Sequence, residues 1–410
     1  MYDLRLSPEQ LEIRDTVRDF VAAEVKPLAL EPKRMEAHAR PLLTAALDKA
    51  AQMGLRTLAL SEDLGGAGAD HLTRCIVTEE LAAGDPDVAA VLAQTSALAH
   101  SLFDRLMTPE QRGRFLPAFI ADDRYHLALA EHEPEQDTTL GIDYHRPRMS
   151  GAAPKTTAVR AGDAWVINGT KDQVVNAPIA KLFAVAVSTD AKGVTTLLVP
   201  SDVAGLHVTG TDAHACWRHG VSGGVSFDDC RVPAENLLGS EGESPLAGES
   251  VRQSPQDLAL NLGIGRAAYE AALDYAQLRV QGGRRIVEHQ AIGAKLAEVL
   301  VRLEVARAAI WQAAWASGHP EAVAERSLAD LPLTDIARAF SSEAIYHATK
   351  DAAECFGAMG VMKDMPLQKY VRDARICLHS GAGASEAKLR IAEALAGYRR
   401  PADAAVLAAE

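Results

Sequence analysis

Residues 376–388 read ICLHSGAGASEAK and follow directly on KYVRDAR. An Arg-Asp-Ala lead (Arg372, Asp373, Ala374), a turn of small residues and a fresh helix is the layout of a built site. The turn carries no carboxylate, so a proton acceptor there would have to be His379 ahead of it or Glu386 behind it. Glu249 and Asp257, near the start of an earlier helical stretch, are further candidate bases. Each also reads as a solvated helix-face or first-turn acid, and geometry rather than presence decides between the two. A second cluster is AEHEPEQD at 130–137, with His126, His132 and His145 around it. Its spacing fits no standard metal set and reads as a solvated loop, so no metal is expected. The glycines of LGGAGAD lack G-x-G-x-x-G spacing and form a turn, not a phosphate cradle.

These groups need a scaffold, and 410 residues at 48% hydrophobic suffice for two or three domains. A formal charge of −13 with scattered basic residues argues against nucleic acid as a partner. Cys75, Cys216, Cys230, Cys355 and Cys377 are far apart and without C-x-x-C spacing, as free thiols of a reducing compartment would be. No signal peptide is recognisable and no apolar run reaches membrane-spanning length, so the expected location is the cytoplasm.

LSPEQLEIRDTVRDF opens with Ser7 as N-cap, Pro8 at the first helical position and Gln10 completing a capping box. Helical periodicity then runs to about residue 123. From there AWVINGTK, with an Asn-Gly turn, then LFAVAVST, VTTLLVP, LHVTG and GVSFDDCRVP are short β-branched runs. Long helical periods return to the end of the chain. The expected fold is mainly α with a central β domain: residues 1–123 helical, 124–236 a small barrel or sandwich, and 237–410 a four-helix bundle.

In this order the strings LSPEQLEIRDTVRDF, LALSEDLGGAGAD, EELAAGDP, DAWVINGTK, VSFDDCRVPAENLLG, RVQGG before VEHQAIGAKLAE, and ECFGAMGVMKDMPLQKYVRDA closely resemble the acyl-CoA dehydrogenase family. The resemblance covers nearly the whole chain. It implies FAD, shared across a subunit interface, an acyl-CoA or acyl-carrier thioester as substrate, and an electron-acceptor flavoprotein. It also implies assembly as a dimer or a dimer of dimers, with itself or with a homologous subunit.

The resemblance places the usual base positions at Gly381 and at or beside Gln253, and neither residue can take a proton. In the flavin-ring cradle of the chain's own subunit it retains Glu133, Pro134 and the hydroxyl of Thr138. Asp137 and Thr139 replace a glycine and an acid, and Gln173 and Val175 replace a tryptophan and a threonine. The set that serves the partner's FAD is mostly kept: Arg279, Gly283, His289, Glu354, Phe356, Gly357 and Gly360, with Gly282 and Ala358 as departures. This asymmetry favours the non-catalytic or divergent subunit of a heteromeric dehydrogenase. The alternatives are altered, flavin-independent chemistry on the same fold, a cofactor-free regulatory protein, and an active homomer with a relocated base.

Overall fold

The computed structural model describes residues 5–35, 41–134, 154–209, 221–246, 254–319, 332–379 and 383–396. Helices come first: α1 (Pro8–Phe20), α2 (Thr44–Gln52), α3 (His71–Gly84), α4 (Pro86–Ala99) and α5 (Pro109–Ala121). The predicted start of α1 is present in full. Gln10 N–H donates to Ser7 Oγ at 3.1 Å, and Ser7 N–H donates to Gln10 Oε1 at 3.0 Å. Two π-helical turns interrupt this part, Val21–Val25 after α1 and His100–Leu106 after α4.

The β part holds two four-stranded sheets. One contains β1 (His126–Ala130), β4 (Ala180–Val187), β5 (Thr195–Pro200) and β8 (Leu237–Leu238), in the order β1-β4-β5-β8. The other contains β2 (Thr157–Ala161), β3 (Ala164–Val175), β7 (Ser222–Pro233) and β6 (Leu206–Val208), in the order β2-β3-β7-β6. Strand alternation explains why the first sheet is buried on both faces. Phe183, Val185, Leu197 and Val199 join Trp165, Ile167 and Phe227 in the core between the sheets. Their neighbours Leu182, Ala184 and Leu198 pack outward against Leu98, Phe103 and Phe119 of the helices.

One turn expectation is corrected. Asn168 and Gly169 lie inside the long strand β3, where the register with β7 shifts between Ile167 and Gly169, and no hairpin forms. Gly169 takes the left-handed φ of +137° that such an irregularity needs. Asn168 spends its amide on Asp229, giving Nδ2 to Oδ1 at 3.1 Å and taking the Asp229 N–H at 2.8 Å.

The C-terminal helices are α6 (Pro255–Leu278), α7 (Gln290–Ser317), α8 (Leu333–Glu354), α9 (Leu367–Ala374) and α10 (Gly383–Leu395), with the hairpin β9 (Val280–Gln281) and β10 (Arg284–Arg285) after α6. One apolar core runs from Val17 and Leu81 to Leu262, Leu303 and Ile345, fusing the two helical parts. Acids at its edge are matched across four helices. Arg18 of α1 and Arg266 of α6 each meet Glu80 of α3 at 2.7 Å, and Arg307 of α7 meets Glu79 at 2.7 Å.

No helix among the described residues is long and apolar enough to cross a membrane. Cys75, Cys230, Cys355 and Cys377 are free and buried. Cys216 lies outside the described residues.

Glu79 is only 4% exposed and is the acid shared by Arg266 and Arg307, so Glu79→Ala breaks the link between them and leaves Arg266 to Glu80 and Arg307 to Glu304. We expect a loss of roughly 3 kcal/mol in urea unfolding. A loss under about 1 kcal/mol would show that the network is surface-like.

Candidate functional site

The strand ends that would form the ring cradle are fixed by buried polar groups. Beyond β1, Glu133 accepts N–H groups from Lys155 at 2.7 Å and Thr156 at 2.9 Å, and the Lys171 ammonium donates to it at 2.8 Å. The Glu133 side chain is 5% exposed and that of Lys171 0%, so this part of AEHEPEQD is a buried clamp and not the solvated loop expected. Burial alone would raise the Glu133 pKa. The Lys171 ammonium and the N–H and O–H donors of Thr156 and Lys155 outweigh it and hold the carboxyl at about 2.

Downstream of Lys171 the chain turns sharply. Gln173 has φ +50° and Asn176 φ +66°, both left-handed. Asn176 is fully buried. Its Nδ2 reaches Thr95 Oγ1 and the Leu127 carbonyl, each at 3.2 Å, which ties the end of β3 to α4 and β1. Sequence reasoning passed over Asn176, although an Asn just past the altered cradle motif was a visible signal. Gln173, at the expected tryptophan position, is exposed and offers no flat apolar face, while Val175 is buried and has no hydroxyl to donate. The frame of the cradle therefore persists, with neither a flat apolar face nor a hydroxyl at these two positions. Thr138, Asp137 and Thr139 lie outside the described residues.

The base candidates divide. Gly381, Gln253 and Glu249 lie outside the described residues. Asp257, in the first turn of α6, acts together with Asp335 and Glu386 on Arg338, which is 1% exposed. Glu386 accepts from Arg390 Nη2 at 2.5 Å. Two of the carboxylates proposed as bases are thus turned to arginines. His379 is exposed, at the end of the helical turn Arg375–Leu378.

The residues expected to face a partner's cofactor do come together. Gly282 (φ +64°) and Gly283 (φ +82°) make the two-residue turn between β9 and β10. Arg279 enters this hairpin, and its carbonyl accepts the Ile286 N–H at 2.8 Å. His289 Nε2 donates to the Gln281 carbonyl at 2.9 Å, so this imidazole braces the hairpin. One helical turn before Arg279, Tyr275 stacks on Phe356 with ring centroids 4.2 Å apart. That contact brings the turn carrying Gly357 and Gly360 beside the hairpin. A side chain at Gly360 would meet the Ala353 carbonyl at 2.5 Å. Glu354 is paired with Lys295 of α7, which neutralises an acid where the family pattern allows an amide. The set has the exposed Arg279, open glycine backbone and a balanced charge, and these fit a dinucleotide's diphosphate. No group of His, Cys, Asp and Glu among the described residues could hold a metal ion.

Fold and half-site together define a flavoprotein oxidoreductase class. Acyl-CoA dehydrogenase signatures match residues 7–123 (N-terminal domain), 149–230 (middle domain) and 257–396 (C-terminal domain). The short-chain specific acyl-CoA dehydrogenase of Rattus norvegicus mitochondria is 30% identical over 89% of this chain and 84% of its own length. That of Clostridium acetobutylicum is 30% identical over 91% and 94%. Butyryl-CoA dehydrogenase from Megasphaera elsdenii superposes with a TM-score of 0.82 at 25% identity, covering 97% of this chain and 100% of that one. The chain belongs to the acyl-CoA dehydrogenase family.

Glu133→Gln strands the buried Lys171 ammonium, and we expect it to cost roughly 3 kcal/mol at neutral pH. The folded carboxyl, near 2, lies below its ordinary 4.5, so its contribution is complete above pH 4.5 and lost as pH falls toward 2. In denaturant melts the difference between wild type and variant should therefore be constant from pH 5 to 8 and shrink in acid. A difference that grows in acid contradicts the clamp.

Proposed function

We propose that this chain is the non-catalytic subunit of a heteromeric, FAD-dependent acyl-CoA dehydrogenase. It completes the cofactor site of a homologous partner and leaves its own without a base. The observation that carries the reading is the asymmetry between its two half-sites. Gln173 and Val175 spoil the chain's own ring cradle, whereas Arg279, Gly283, His289 and the turn after Glu354 are assembled on one surface. When bound, FAD supplies the acceptor for a two-electron oxidation. This chain's share is to hold the partner's cofactor, with Arg279 on the diphosphate and His289 keeping the hairpin in place. The homologous chain supplies the carboxylate that takes the α-proton of the acyl thioester. Butyryl-CoA and short-chain relatives support a thioester substrate. A structural relative solved for the electron transferring flavoprotein of Acidaminococcus fermentans, with a TM-score of 0.81 at 26% identity, supports an electron-acceptor flavoprotein downstream.

The test is co-expression with a homologous chain that retains its glutamate. Arg279→Ala in this chain alone should weaken FAD retention by the complex about tenfold, the scale of one charge-assisted contact. Gly381→Glu in this chain should add no activity, because the ring cradle is altered as well. Full turnover by this chain in isolation, or a complex indifferent to Arg279→Ala, would sink the proposal.

A further inference from the structure

The hairpin that carries Arg279 holds a second guanidinium whose place is set by the register. Gln281 pairs with Arg284 and Val280 with Arg285, and the Ile286 N–H donates to the Arg279 carbonyl at 2.8 Å. Side chains alternate along a strand, and directly paired residues share a face. Arg279, Gln281, Arg284 and Ile286 therefore lie on one face of the hairpin, and Val280 and Arg285 on the other. Ile286 is buried, so the first face is turned to the body of the protein, with Arg279 and Arg284 exposed along it. Val280, 59% exposed, marks the outer face.

Charge separates the two faces. On the outer face Arg285 Nε donates to Glu288 at 2.7 Å. On the inner face neither Arg279 nor Arg284 is ion-paired with any described residue. Glu354, the acid before the neighbouring Gly357–Gly360 turn, is taken by Lys295. Arg279 and Arg284 stand at diagonal positions of one face, within reach of each other's long side chains. Two like charges so placed repel, and an anion held between them removes the repulsion.

The backbone between them is open. The N–H groups of Gly282 and Gly283 donate to no backbone carbonyl among the described residues. A Cβ added at Gly283 would meet nothing within 4 Å, so that side of the turn is free for a ligand to approach.

We infer that Arg284 is a second anchor for the diphosphate of the partner's FAD, with one guanidinium to each phosphate. The inference rests on the reading of Arg279 given above. Each phosphate of a dinucleotide's diphosphate carries a negative charge, and the guanidinium fork matches a phosphate through paired N–H donors. Arg279 alone would balance half of that charge. Arg285, held by Glu288 on the opposite face, has no share in it.

The test uses the complex with a homologous, glutamate-bearing chain and reads the FAD retained after dialysis from its visible absorption. Arg284→Gln in this chain should weaken retention about tenfold, the scale of one charge-assisted contact. Arg285→Gln removes the same charge from the opposite face and should leave retention unchanged. Equal losses from the two variants would make Arg284 general surface charge and overturn the inference. Retention indifferent to Arg284→Gln but weakened by Arg279→Ala also overturns it, and leaves the subunit reading standing; indifference to both overturns both. If the complex retains no FAD, the subunit reading fails, and inorganic diphosphate added to the full chain decides the anion site through the arginine Nε–H NMR signals. Movement of the Arg279 and Arg284 signals without that of Arg285 upholds the site. No movement, or movement of all three, overturns it.

Discussion

The Lys171–Glu133 pair, closed at 2.8 Å out of contact with solvent, is the constraint on which the site depends. A buried carboxylate and ammonium tolerate neither separation nor the loss of one partner, so they hold the segment after β1 against the starts of β2 and the end of β3. Asn176 continues the fixation by joining β3 to α4 and β1. With the strand ends pinned in this way, residues on the exposed side can change without the fold giving way. Gln173 and Val175 sit on such a pinned frame. This explains how a chain can keep the family's architecture while Gln173 and Val175 stand where the resemblance places a tryptophan and a threonine.

The same separation of frame from face runs through the C-terminal half. His289 and the stacked Tyr275–Phe356 pair hold the hairpin and the Gly357–Gly360 turn together, and Arg279 is left exposed beside them. On the other side of the bundle, two of the acids that might have replaced a missing base face arginines: Asp257 acts electrostatically on Arg338, and Glu386 accepts from Arg390. Among the described residues the bundle thus carries a framed, exposed hairpin on one side and arginine-matched acids on the other.

Much of this was legible in the sequence. The α1 capping box, the short β-branched runs and the long helical periods each have a local cause, and each element formed. The family motifs were also readable, because each lies in one short contiguous string. What was not legible depended on contacts distant along the chain. Asn168–Gly169 looked like a hairpin turn but is an irregularity within β3, since pairing with β7 on one side and β2 on the other outweighs the local signal. Glu133 looked solvated until Lys155, Thr156 and Lys171 were brought to it.

The account's central claim is that this chain serves a cofactor it does not itself complete. The most direct measurement is flavin stoichiometry, from the visible absorption of the purified chain alone and of its complex with a homologous, glutamate-bearing subunit. The account predicts a colourless isolated chain and one FAD for each pair of unlike subunits in the complex. An isolated chain that purifies yellow with one FAD per subunit, bleached by an acyl-CoA, would contradict it.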